Sequence, residues 1–201
     1  MGRERVMTKP RLILASASPR RLQLLDRIGI VPDAVLPNDI DETEIPGETP
    51  RQIALRLAHG KAEACPDRDA FVLAADTVVA QGRRTLPKAE TVDQAEDCMR
   101  RLSGGNHRVW TGVALRSPDG QITTRVSESR VKFKRLSETE IRTYLASGEW
   151  QGKAGGYGLQ GMAEAFVIQV IGSPSSIIGL PLYETAALLT GAGFPVFGST
   201  K

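Results

Sequence analysis

The stretch FVLAADTVVA, residues Phe71–Ala80, is the most hydrophobic segment of the chain, and Asp76 is its single charged residue. Its length and its valines predict a buried β-strand. A buried carboxylate without a partner is costly, so Asp76 needs a metal ion, a lysine or a water beside it. We expect Asp76 and Thr77 to lie near the strand's end, where open α/β sheets place catalytic groups. The alternative is a structural carboxylate that accepts hydrogen bonds from nearby backbone N–H groups.

Upstream of this strand, the pattern predicts a strand, a tight loop and a helix. Leu12–Ala15 is a short apolar run, and Pro19–Ile28 has helical spacing, with Ser18 placed to cap the helix. A second short strand is predicted over Val31–Val35. The loop PNDIDETEIPGE (37–48) follows, and Thr49 then opens a helix that ends near Cys65.

Downstream, the sequence predicts a helix from Thr91 to Gly104 and a hairpin around the turn SPDG (117–120). The hairpin strands are predicted over 108–116 and 121–133. A capping box formed by Ser137 and Glu140 opens another helix, and a glycine-rich stretch, GKAGGYGLQG (152–161), comes next. A strand over 166–171 and a helix over 182–192 complete the pattern.

This alternation of helices and strands with an antiparallel hairpin predicts an α/β fold with a mixed twisted sheet. We expect two lobes around a central cleft, which is where ligands commonly bind. Residues 1–10 are predicted to be a flexible tail, and residues 11–201 a single domain made of the two lobes.

Composition limits the chemistry. The chain has 201 residues, 41% of them hydrophobic and 24% charged, and a net charge of +3, which is too small to indicate a nucleic-acid-coating protein. No segment has the pattern of a signal peptide or a membrane span, so we expect a cytoplasmic protein.

Two histidines, His59 and His107, leave little material for a histidine-rich zinc site or a Ser-His-Asp triad, and His107 is expected in a turn. Cys65 and Cys98 are expected to be buried free thiols.

Anion-binding groups gather in SASPRR, Ser16–Arg21, between the first strand and the first helix. Backbone N–H groups at a helix N-terminus favour negative charge, and arginine matches phosphate oxygens with a bidentate fork. The alternative is a capped helix with two solvated arginines. Lys61 and Lys88 are further candidate cations, and the acidic loop offers oxygen ligands for a hard cation. These ligands are Asp39, Asp41, Glu42 and Glu44.

Six motifs occur in the same order as in the Maf-type nucleoside triphosphate pyrophosphatases, which the chain resembles from Arg11 to Phe197. They are LASASPRR (14–21), RLAHGKA (56–62), AADTVV (74–79), LSGGNHRVWTGVAL (102–115), GKAGGYGLQG (152–161) and GLPL (179–182). Two departures stand out. The family often has Gly-Lys-Pro after the catalytic strand, where this chain has Leu86-Pro87-Lys88, and Ser176 stands where many relatives have Asn.

The resemblance implies a fold similar to that of inosine triphosphate pyrophosphatases, a homodimer, and a divalent cation, Mg²⁺ or Mn²⁺, held by Asp76 and Glu42. Asp76 would be the catalytic proton acceptor, consistent with a carboxylate orienting a water for attack on the α-phosphorus. The phosphate-binding positions implied are Ser16, Arg20, Arg21, Lys61 and Lys88.

The residues that correspond to the family's specificity positions are Arg20, Thr77 and Gln160, the pattern of the dTTP and UTP branch. Gln160 can accept from N3–H of uracil or thymine and donate to a ring carbonyl, although the flipped amide could bind cytosine. A branch that prefers 7-methyl-GTP would have a carboxylate at 160 and an aromatic residue at 20. Another alternative is a non-catalytic nucleotide- or DNA-binding regulator of septum formation, but the small charge and 5% aromatic content argue against stable nucleic-acid binding.

Overall fold

The computed structural model describes residues 10–197. Its strands are β1 (Leu12–Leu14), β2 (Ala34–Val35), β3 (Phe71–Gln81), β4 (Arg84–Leu86), β5 (Lys88–Ala89), β6 (Asn106–Arg116), β7 (Ile122–Phe133), β8 (Lys153–Ala154) and β9 (Val167–Ile171). Its helices are α1 (Pro19–Asp26), α2 (Pro50–Ala64), α3 (Val92–Leu102), α4 (Glu138–Ser147), α5 (Pro174–Ile178) and α6 (Leu182–Gly191), and Met162–Phe166 forms a 3₁₀ turn.

The central sheet is mixed, as its sequence pattern predicts. Its order is β2-β1-β3-β6-β7-β9, with β4 paired to the end of β3. β1 runs parallel to β2 and β3, whereas β3, β6, β7 and β9 pair antiparallel. A separate two-stranded sheet joins β5 to β8. β3 lies at the centre of the main sheet, which explains why nearly every side chain in FVLAADTVVA is buried.

Hydrophobic groups pack on both faces of the main sheet. On one face, leucines of α1 and α6 pack against β1 and β3. On the other, Ala58 and Ala62 of α2 pack against Ile13 of β1 and against Val72 and Ala74 of β3. A larger core joins α3, α4 and the glycine-rich segment to the far ends of β6 and β7. The cleft lies where this larger core meets the β1–α1 region.

The predicted helices agree with the structure to within about two residues at their ends, and capping boxes open α2, α3 and α4. Helix ends are set by local side-chain hydrogen bonds, which explains why the sequence marks them well. The predicted strand over Val31–Val35 is shorter, since only Ala34–Val35 pairs with β1. The short elements β4, β5, β8 and α5 were not predicted.

Three local expectations are wrong. Asp76 lies in the middle of β3, as the predicted span Phe71–Ala80 itself implies, and not near the strand's end. Ser18 occupies the N-cap position of α1, but its side chain makes no capping hydrogen bond. His107 lies within β6, where it is buried, and not in a turn. Residues 1–9 of the predicted tail and residues 198–201 lie outside the described residues.

Candidate active site

Asp76 projects from the middle of β3 and is only 2% exposed. Its Oδ1 accepts a hydrogen bond from Lys61 Nζ at 2.5 Å. Lys61 is on the last turn of α2 and is itself buried. The carboxylate therefore has a lysine as its partner, one of the groups that its burial was expected to require.

Glu42 joins this ion pair from the acidic loop. Its Oε1 lies 2.6 Å from Lys61 Nζ, and its Oε2 accepts a hydrogen bond from Lys88. Burial alone would raise the pKa of Glu42, but the hydrogen bonds from Lys61 and Lys88 outweigh it and lower the pKa to about 2. Asp76, Lys61, Glu42 and Lys88 thus form a continuous chain of alternating charges, which we call the charge chain.

The loop after β1 brings Ser16 and Arg21 together. Arg21 Nη1 donates to Ser16 Oγ at 2.8 Å, and Arg21 Nε donates to the carbonyl oxygen of Gly179 at 2.8 Å. Burial lowers the pKa of Arg21, with Asp76 opposing that change, and burial also lowers the pKa of Arg20. A guanidinium stays protonated in proteins, so both side chains bring fixed positive charge to the site.

One cavity contains nearly all of these groups. Its wide part has a volume of about 340 Å³, and its narrow part adds about 50 Å³. Both parts are lined by Ser18, Arg20, Arg21, Lys88 and Gly152. The wide part also touches Ser16, Asp39, Glu42, Lys61 and Asp76. Among the candidate residues of the acidic loop, Asp41 and Glu44 do not line it.

The walls of the narrow part of the cavity combine apolar and charged side chains. Val79, Tyr157, Ile177 and Ile178 surround it, together with Thr77 and Lys153. A slot that offers apolar side chains and a few polar groups is typical of a site for a planar, partly polar ligand. The cavity therefore has a wide part that contains the charge chain and a narrow part in which apolar side chains lie beside cations.

Two of the three candidate specificity residues, Arg20 and Thr77, line the narrow part. Gln160 does not line it and is exposed, but its amide lies beside Gly158, which does. A Cβ atom at Gly158 would lie 3.1 Å from the Gln160 side-chain oxygen and 2.9 Å from Lys153 Cε. The structure thus places Gln160 next to the cavity wall.

Sequence reasoning missed Lys153 and Tyr157, which both line the narrow part. They lie within GKAGGYGLQG, where the glycines and Gln160 drew attention. Burial lowers the pKa of Lys153, and the positive charge of Arg20 lowers it further. Tyr157 contacts His107 through a hydrogen bond of 2.7 Å between the Tyr157 hydroxyl and His107 Nε2. A basic residue amid several glycines was the available signal for Lys153.

The site fits a divalent cation that would be bound partly by protein carboxylates and partly by substrate phosphates. Within residues 10–197, no three His, Cys, Asp or Glu side chains are close enough to hold a metal ion by themselves. Mg²⁺ is usually bound by one or two carboxylates together with substrate phosphates. Asp76 and Glu42, which share Lys61, provide such a pair of carboxylates.

The chain is similar to known proteins over most of its length. The family model described as "Maf-like protein" matches residues 11–192. A relative named dTTP/UTP pyrophosphatase from Maricaulis maris (strain MCS10) is 63% identical, over 94% of this chain and 92% of its own. Another of that name, from Hyphomonas neptunium (strain ATCC 15444), is 61% identical over 91% of this chain and 96% of its own. The chain belongs to the Maf-like family.

The Maf-like chain also shares its fold with a solved structure of low sequence identity. A HAM1 protein from Coxiella burnetii aligns with a TM-score of 0.51 and 14% identity, over 90% of this chain and 99% of that one. This likeness confirms the predicted fold class. In the described part of the Maf-like chain, residues 10–197, no helix has the length and hydropathy needed to cross a membrane.

Proposed function

We propose that this chain is a nucleoside triphosphate pyrophosphatase that hydrolyses dTTP and UTP to the monophosphate and pyrophosphate. The observation that carries the proposal is the buried Asp76–Lys61 pair at the wall of a cavity that also contains Arg20, Arg21 and Lys88. The names of the relatives at 61–63% identity support the substrate assignment.

Asp76 is the proton acceptor in this proposal. Lys61 holds Oδ1, which leaves Oδ2 to accept a proton from a water. The water oxygen attacks the α-phosphorus, the bond from that phosphorus to the α–β bridging oxygen breaks, and pyrophosphate leaves. The proton lost by the water passes to Asp76, so atoms and charge balance.

The wide part of the cavity binds the triphosphate. Arg20, Arg21 and Lys88 neutralise charge that builds on phosphate oxygens as the bridging bond breaks. Ser16 holds Arg21 in place through its hydroxyl. Asp76 and Glu42 would hold a divalent cation, Mg²⁺ or Mn²⁺, which would supply Lewis-acid activation of a water and neutralise further charge.

The narrow part of the cavity receives the base, and Arg20, Thr77 and Gln160 determine which base is accepted. No observation favours the 7-methyl-GTP branch or the septum-formation regulator, because position 160 carries no carboxylate and the charge chain is complete. The proposal also includes a homodimer, a cytoplasmic location, a role in removing unwanted nucleotides and a lack of stable nucleic-acid binding.

The test is pyrophosphate release from a panel of canonical and modified nucleoside triphosphates, including 7-methyl-GTP, with Mg²⁺ or Mn²⁺. Wild type should act best on dTTP and UTP, and Asp76→Asn should lower the rate by about 10²- to 10⁴-fold, as expected for loss of a general base. Asp93→Asn, at an exposed position on α3, is the matched control and should keep the wild-type rate.

Turnover led by 7-methyl-GTP would overturn the substrate assignment. No turnover of any nucleotide would overturn the enzyme assignment and favour the regulator. A filter-binding titration with duplex DNA across salt concentrations would then test that alternative, since phosphate contacts weaken steeply with salt.

A further inference from the structure

Three residues form a relay of hydrogen bonds behind the narrow part of the cavity. Thr77 and Thr111 lie opposite each other on β3 and β6, and their hydroxyl oxygens are 3.1 Å apart. Thr111 Oγ1 also lies 2.8 Å from the carbonyl oxygen of Ser176, on α5. Nothing in the proposed reaction uses Thr111 or Ser176.

The relay can run in one direction only. A carbonyl oxygen accepts hydrogen bonds and cannot donate, so Thr111 must give its single hydroxyl proton to Ser176. Thr111 then has no proton left for Thr77, and Thr77 must donate its own proton to Thr111.

Burial keeps this direction fixed. Thr111 and Ser176 are both fully buried. Ser176 lies near the end of a five-residue helix, where backbone carbonyls lack a following helical N–H. Reversing the relay would leave that buried carbonyl without its donor, at a cost of about 1–3 kcal/mol.

Thr77 therefore offers the cavity only lone pairs. A threonine hydroxyl in isolation rotates and can meet either a donor or an acceptor. Here its proton is occupied by Thr111, so a ligand atom facing Thr77 must be a hydrogen-bond donor.

We propose that Thr111 is a positioning residue that fixes the hydrogen-bond polarity of Thr77 and thereby selects uracil and thymine over cytosine. The inference rests on the proposed function, since it places the base in the narrow part of the cavity. Uracil and thymine carry one proton on N3, and in this inference it donates to Thr77, which lines the narrow part of the cavity, rather than to Gln160, which does not. Cytosine has a lone pair on N3, which would face the Thr77 lone pair and be repelled.

The experiment compares kcat/KM for UTP and CTP by pyrophosphate release in wild type, Thr111→Val and Thr111→Ser. Valine keeps the shape of threonine but removes the hydroxyl, which frees the Thr77 proton to point at the base. We expect the UTP-to-CTP ratio to fall by about 10-fold in Thr111→Val, within the range for one base-discriminating contact. Thr111→Ser retains the hydroxyl and should keep the wild-type ratio.

Equal affinities of wild type for UMP and CMP, measured by titration calorimetry, would overturn the inference whatever the turnover. A folded Thr111→Val protein with an unchanged UTP-to-CTP ratio of kcat/KM would also overturn it. So would a Thr111→Ser protein that does not keep the wild-type ratio. A preference for UMP without turnover of UTP would sink the proposed function while supporting the inference. If Thr111→Val does not fold, Thr77→Val tests the premise instead, since it removes the lone pair that the base would meet, and an unchanged UMP-to-CMP affinity ratio would overturn the inference.

Discussion

Gly112 on β6 faces the carbonyl oxygen of Ala54 on α2, and a Cβ atom at Gly112 would lie only 2.3 Å from that oxygen. No side chain therefore fits between the sheet and the helix at this point. The close approach seats α2 on the sheet, and α2 carries Lys61 on its last turn. The absence of a side chain at 112 thus helps to bring Lys61 to within 2.5 Å of Asp76.

Gly112→Ala should destabilise the protein by at least about 2 kcal/mol, because the added methyl group meets helix backbone, which cannot rotate away. The folded fraction should also release pyrophosphate more slowly, since a displaced α2 draws Lys61 from Asp76. Urea denaturation and steady-state assays measure the two effects. Gly191→Ala is the control, because nothing lies within 4 Å of a Cβ atom there, and equal behaviour of the two variants would contradict the prediction.

Arg116→Met should lower the free energy of unfolding by about 3 kcal/mol. Arg116 is 1% exposed, and its Nη1 donates to the carbonyl oxygens of Ala62, Glu63 and Cys65 at 3.0, 3.1 and 2.8 Å. These carbonyls end α2, so the guanidinium meets the negative end of the helix dipole and satisfies acceptors that have no helical donor.

The measurement for Arg116 is chemical denaturation monitored by circular dichroism. Arg51→Met changes an exposed arginine at the other end of α2 and should leave stability within about 0.5 kcal/mol of wild type. Similar losses in both variants would show that the buried cap contributes little.

Stability should fall between pH 7 and pH 5 because of His107. Burial lowers the pKa of His107 to about 4, so the folded protein keeps this ring neutral while the unfolded chain binds a proton below its pKa of about 6.5. The stability that depends on the neutral ring is fully present above the unfolded-state pKa and is lost as the pH falls towards the folded-state pKa. The loss at pH 5 should be about 2 kcal/mol.

Denaturation curves across this pH range test the histidine effect, with His107→Gln as the comparison. Glutamine does not titrate but can still bond to the Tyr157 hydroxyl. A decline of the same size in the variant would assign the effect to other groups.

Glu42→Gln should raise the Mg²⁺ concentration needed for half-maximal pyrophosphate release by about 10-fold or more. The amide removes one of two carboxylates proposed to hold the cation, and even the loss of a group that only orients a metal ligand commonly changes affinity by about that factor. The effect is read from rates at a series of Mg²⁺ concentrations. Asp39→Asn removes a carboxylate that lines the same cavity without joining the charge chain, so it should need no more Mg²⁺ than wild type.

Much of the fold follows from local signals that the sequence carries openly. Such signals depend only on residues close together in the sequence. Examples are the apolar run of β3 and the capping boxes at Thr49, Thr91 and Ser137. β3 continues one residue beyond the predicted stretch, to Gln81, because a strand's end depends on its pairing partner, and Gln81 pairs with Arg84 of β4.

The candidate site was foreseeable in its residue types but not in its connections. Phosphate chemistry calls for Arg20, Arg21, Lys61 and Lys88, yet no local pattern shows that Glu42 bridges two of the lysines. Contacts between residues far apart in the chain, such as Thr111 with Ser176, appear only when the strands and helices are assembled.

The two-stranded sheet of β5 and β8 pairs Lys88 with Ala154 and Ala89 with Lys153. Backbone hydrogen bonds from Gly152 to Ala89 and from Gly155 to Pro87 tie the same segments together. A lysine at the proposed triphosphate end and residues at the proposed base end therefore belong to one hydrogen-bonded ribbon. A shift of either strand on binding would be passed to the other, so we expect pyrophosphate and a nucleoside supplied as separate molecules each to raise the other's affinity.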